Sequence, residues 1–101
     1  PPAMLDIPDF ASVHNHIERA VHQAVLDLAP DFPGLTGDGE VLADVACVAL
    51  NRLQPRYIRH EVDFSFYLSD GEREESARQV TNAVEFAFGF VQARNAMRAR
   101  S

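Results

Sequence analysis

At 101 residues the chain has room for about one domain, given the usual roughly 100–200 residues per domain. Its 47% apolar and 24% charged composition excludes a disordered tail and fits a globular domain. A formal net charge of −6 argues against bulk duplex DNA as a partner, because that affinity comes mostly from neutralised phosphates.

Residues 1–8 open with Pro1-Pro2-Ala3-Met4 and read as a tail or an expression remnant outside a single domain. Residues 10–29 read as an amphipathic helix. Val13, Ile17, Ala20, Val21, Ala24 and Leu28 recur at spacings of three and four, with Asp9 or Ser12 as cap and Pro30 as terminator. Residues 30–39 hold two prolines and three glycines and read as a loop.

Residues 40–53 read as a second helix after an Asp38 or Thr36 cap. Its stripe is Leu42, Val45, Ala46, Ala49, Leu50 and Leu53, and Pro55 ends it. The period then changes. Over residues 57–68, Ile58, His60, Val62, Phe64, Phe66 and Leu68 alternate with Arg59, Glu61, Asp63, Ser65 and Tyr67, the pattern of a strand with one buried face. Ser69 and Glu72 then form a capping box, and a helix is expected over about 71–98. This third helix carries two apolar faces: Val80, Ala83, Val84, Ala87, Phe88 and Val91 on one, Phe86, Phe90, Ala93 and Met97 on the other.

The expected fold is therefore α+β and mostly helical, with three helices and one long strand. A lone strand leaves its backbone donors and acceptors unpaired. It could fold back as a hairpin, lie as an edge packed flat on a three-helix core, or pair with its copy across a twofold axis. The last is favoured, because the doubly apolar third helix also asks for a second partner. The expected molecule is a homodimer.

Few residues point to catalysis. The run His14-Asn15-His16-Ile17-Glu18 resembles nuclease lettering, but a ββα-metal nuclease spreads its ligands over a strand, a loop and a helix. On a continuous helix His14, Glu18 and His22 would stack at i, i+4, i+8, a usable metal face. No cysteine joins them, so a solvated face is preferred and no metal is assigned. Cys47 has no partner cysteine and no nearby base, and reads as a small buried or half-buried hydrophobe. No Ser/His/Asp order, phosphate-cradling glycine loop or metalloprotease motif is present, so an enzyme is not expected. One cysteine excludes an internal disulfide framework, and no apolar run approaches the roughly 20 residues that cross a bilayer. A cytoplasmic protein with no membrane contact is expected.

The informative segment is residues 49–60. All nine basic residues of the chain are arginine, and three of them, Arg52, Arg56 and Arg59, fall here with no acid between. Guanidinium forks bind phosphate, stack on bases and read the guanine edge bidentately. Tyr57 could stack on a base, and Asn51 offers both a donor and an acceptor. A helix-to-strand corner bearing these groups suits a phosphorylated purine. Arginines at a helix C-terminus also serve the macrodipole without any ligand.

The order Asp44-Val45, Ala49-Leu50-Asn51-Arg52-Leu53-Gln54-Pro55-Arg56-Tyr57 resembles the signature of the late competence development ComFB family. The upstream Asn15-x-x-Glu18-x-x-Val21 is similar to that family's first-helix pattern, and the resemblance spans about residues 12–92. Two departures stand out. Gln54-Pro55 replaces a proline pair, and Leu35-Thr36-Gly37-Asp38-Gly39 stands where some members carry zinc-binding cysteines. The resemblance implies a small, dimeric, non-enzymatic regulatory domain. In some members it implies a receptor for cyclic dinucleotides such as cyclic di-GMP, linked to motility, pili or competence, that signals to a downstream protein. On that reading Arg52, Arg56 and Arg59 hold phosphate or guanine and Tyr57 stacks. Asn51 touches ligand or locks the junction, and His14 and Glu18 line the same pocket; no cofactor is implied. The rival reading is a dimeric structural or adaptor protein of the competence or pilus machinery without a small-molecule ligand, using the aromatic third helix as a protein interface.

Overall fold

The computed structural model describes residues 7–100, apart from the side chains of Ser65 and Tyr67. Residues 1–6 of the expected tail lie outside that range. Among the described residues the order is β1 (His14–Asn15), α1 (His16–Leu28), α2 (Gly39–Leu50), β2 (Tyr57–Ile58), α3 (Glu61–Tyr67) and α4 (Asp70–Ala99). Single 3-10 turns stand at Phe10–Ser12 and Ala29–Asp31.

Each long helix starts where a short polar side chain can satisfy free backbone N–H groups. The Asn15 side chain accepts from the Ile17 N–H, and Asp38 accepts from Glu40 and Val41. Ser69 and Glu72 close the expected capping box at α4. The first helix therefore begins at His16, later than expected, because Asn15 caps it rather than Asp9 or Ser12. Its far end tightens into the 3-10 turn that contains Pro30. Likewise α2 stops at Leu50, short of the expected 53. There Asn51 and Arg52 donate backbone N–H groups back to Cys47 and Ala49.

Helices α1, α2 and α4 pack around one core. Ile17, Val21 and Val25 meet Val45, Ala46 and Ala49, and α4 contributes Val80, Ala83, Val84, Ala87, Phe88 and Val91. The small alanines let the helices approach closely, and Phe88 is fully buried, stacked 4.5 Å from Phe32. The expected inner stripes of α2 and α4 are thus the observed ones.

The long strand expected over residues 57–68 is not there. Only Tyr57 and Ile58 form a strand there; they pair antiparallel with Asn15 and His14 of the same chain. Residues 61–67 are the helix α3. The reason is pairing. A strand needs a neighbour along its length, and β1 offers two residues, so the chain satisfies its remaining backbone internally as a helix turn. Val62 and Phe66, expected on a buried strand face, are 59% and 79% exposed. The premise of an unpaired strand seeking its copy across a twofold axis goes with it.

Candidate functional site

The residues that join α2 to β2 build a hollow of about 540 Å³ against α4. Arg52, Leu53, Gln54 and Arg56 come from the connection; Ser76, Gln79, Val80, Asn82 and Ala83 come from α4, and Ile17 from α1. No aspartate or glutamate lines it, on a chain with fifteen of them.

Both arginines are placed by identifiable contacts. The Arg52 guanidinium carbon sits 3.6 Å from the centre of the Phe86 ring, a cation–π arrangement. Arg56 is pinned through its backbone. Its N–H donates to Asn15 Oδ1 at 2.7 Å, and its carbonyl accepts from the His16 N–H at 2.7 Å. Asn15 therefore does two jobs with one oxygen, capping α1 and anchoring the residue after Pro55. This is the physical content of Asn15 in the upstream pattern.

The other expected site residues lie elsewhere. Arg59 does not join Arg52 and Arg56; its Nε donates to Ser12 Oγ at 2.9 Å. It borders a separate hollow of about 390 Å³ with Val13, Tyr57, Ile58, His60 and Asp63. Tyr57 is exposed on that side. Asn51 donates from Nδ2 to the Cys47 carbonyl at 2.9 Å at the end of α2 and does not line the arginine hollow. With Cys47 and Leu26 it also edges an apolar hollow between α1 and α2. Cys47 is exposed, neither buried nor half-buried as expected. Glu18 is exposed in the first turn of α1, and neither it nor His14 lines the arginine hollow. The i, i+4, i+8 stack of His14, Glu18 and His22 does not form, because His14 belongs to β1. Among the described residues no cluster of His, Cys, Asp or Glu is arranged to hold a metal ion.

Two groups escaped the sequence reading. One is the uncharged row Ser76, Gln79 and Asn82 on α4, which supplies amide and hydroxyl groups opposite the arginines; its signal is three neutral polar residues at spacings of three in a charged helix. The other is Glu61. Its carboxylate meets His14 Nε2 at 3.2 Å and His16 Nδ1 at 2.7 Å. The His14 pKa is raised, first by the Ser12 carbonyl and then by Glu61, and the Glu61 carboxyl is held below its usual value, first by its hydrogen bond from His14.

Among the described residues no helix is long and apolar enough to cross a membrane. No curated protein and no solved structure shows significant similarity to the chain. The family model for the late competence development protein ComFB does match, over residues 14–95, which takes in Asn15, both arginines of the hollow and the α4 wall. The chain belongs to the ComFB family.

Proposed function

We propose that this member of a late-competence family is a non-enzymatic regulatory domain that receives a cyclic dinucleotide, cyclic di-GMP first among them, at the Arg52–Arg56 hollow. It then signals to a downstream protein in competence, pilus or motility control. The observation that supports this reading is the pair of arginines lining an acid-free hollow on a chain of net charge −6. Phosphate is the natural ligand for such forks, and Gln54, Gln79 and Asn82 can hydrogen-bond a base edge. Arg59 and Tyr57 take no part in this version of the site, nor do His14 and Glu18.

Calorimetric titration with cyclic di-GMP and with cyclic di-AMP tests it. A charge-assisted hydrogen bond contributes about 1.5–3 kcal/mol, so Arg56→Ala should weaken binding by about ten- to a hundredfold. Arg59→Ala should leave it nearly unchanged. Absence of heat with either nucleotide at high micromolar concentration, or equal losses in the two variants, would sink the reading.

The proposal includes a homodimer, now through α4. Phe86 and Phe90 stack on one another at 6.1 Å on its outer face, each nearly half exposed. The helix carries five acids, Asp70, Glu72, Glu74, Glu75 and Glu85, against two arginines, Arg73 and Arg78, in its first part, and Arg94 and Arg98 with no acid in its last. Antiparallel pairing of two copies sets opposite charges side by side, whereas parallel pairing sets like against like. The same aromatic face supports the adaptor reading, in which its occupant is another protein and the hollow stays empty. Purified protein that is silent in both titrations would favour the adaptor.

A further inference from the structure

A neutral histidine between two hydrogen-bond acceptors can satisfy only one of them. His14 stands in that position. Its Nδ1 lies 2.9 Å from the Ser12 carbonyl oxygen, and its Nε2 lies 3.2 Å from Glu61 Oε1. A carbonyl and an ionised carboxylate only accept, so this arrangement is complete when both ring nitrogens carry protons. The second carboxylate oxygen accepts from His16 Nδ1 at 2.7 Å, and the His16 ring stacks at 3.9 Å on Phe64. One carboxylate and one ring thus tie α3 to β1 and to the first turn of α1, while Val62 and Phe66 of α3 face solvent.

The position of α3 matters beyond itself. Phe64 and His16 form a wall of a groove of about 490 Å³ between α1 and α4. That groove shares Ile17, Ser76 and Val80 with the arginine hollow. Thus α3 borders the groove next to the arginine hollow without lining the hollow itself.

We propose that His14, His16 and Glu61 form a pH-sensitive latch that holds α3 against the groove between α1 and α4, tightest in weakly acidic solution and loosened as His14 gives up its proton. On deprotonation His14 has one N–H to divide between the Ser12 carbonyl and Glu61, so its tie to α3 weakens while His16 still donates to the other carboxylate oxygen. The other charged groups nearby do not replace the weakened tie. Glu18 of α1 favours the protonated ring. Arg59 is engaged with the Ser12 hydroxyl and, with His60 and Asp63, borders the hollow beside Val13. Arg73 at the groove is paired with Asp70.

The direction with pH follows from the two shifts. The folded pKa of His14 lies above its ordinary 6.5, so its contribution is full below that value and is lost as pH rises through the raised one. The folded pKa of Glu61 lies below its ordinary 4.5, so its contribution is full above that value and is lost as pH falls through the lowered one. The latch is tightest between the two.

Hydrogen exchange of the ligand-free protein tests this separately from any nucleotide binding. Protection factors already corrected for intrinsic pH dependence should fall about fivefold or more for residues 63–67 between about pH 5.5 and pH 8.5, with residues 84–91 unchanged. Glu61→Gln should bring the value at the lower pH down to that at the higher one, and His14→Gln should do the same if the first variant folds poorly. His60→Gln should retain the full pH effect. Protection of α3 that is independent of pH, or a pH effect that survives both latch variants, would overturn the proposal.

Discussion

Asn15 shows how much one side chain can carry. Its oxygen caps α1 and also accepts the Arg56 N–H, so removing it strands two backbone donors. An N-cap is worth about 1 kcal/mol, and Asn15→Ala should cost about 1–2 kcal/mol in urea denaturation because both bonds go. Asn15→Asp keeps both acceptor roles and should recover most of that loss. The same variant reports on function, since Asn15→Ala removes one of the two backbone ties of Arg56 and leaves only the His16 N–H on its carbonyl. Nucleotide affinity should therefore fall with no change to either guanidinium. Arg52 and Arg56 were legible as candidates because three arginines without an acid stand out in an acidic chain. Arg59 looked equivalent at that level. It is separated by the turn at β2, which sends its side chain to Ser12.

Among the elements, the helices with an apolar stripe on one face were readable, and the short ones were not. A stripe of six residues at spacings of three and four leaves one way to bury itself, as α2 shows. Asp38→Ala should cost this helix about 1 kcal/mol by thermal melt, since Asp38 accepts from two N–H groups at its start. Over residues 57–68 the pattern misled. Alternation of apolar and polar residues is a strand signal only where a neighbouring strand exists. Here β1 supplies two residues, and the helical turn after His60 is fastened by Glu61 to two imidazoles. That tie joins positions 45 and 47 residues apart, which no local period can show. The same blindness ran the first helix back through His14, hiding β1.

At the scale of the whole molecule, α4 is the organising element, about 45 Å long at 1.5 Å per residue. Its inner face is the core and its outer face is half bare, so two phenylalanines two positions apart should behave differently. Phe88→Ala should cost about 3–5 kcal/mol, the range for emptying a buried aromatic site, whereas Phe86→Ala should cost about 1 kcal/mol or less in the same denaturation series. Phe90→Glu places a charge in the middle of the proposed α4 contact. It should turn a dimer into a monomer by light scattering without loss of helicity, and an unchanged mass would count against that contact.

What the sequence determined by itself was local and periodic: the capped starts of α2 and α4, the inner stripes that make the core, the loop around Pro33 and Gly34, and an arginine-rich corner on an acidic chain. Each rests on neighbours within a turn or two, so the order of residues carries the whole of the physics. Tertiary structure alone decided what depends on distant partners. It ended β2 after two residues, made α3 a helix held by His14 and His16, gave Asn15 its second partner, and divided the three arginines between two hollows. Those outcomes turn on which backbone groups and charges meet across the fold, and a one-dimensional pattern does not hold that information.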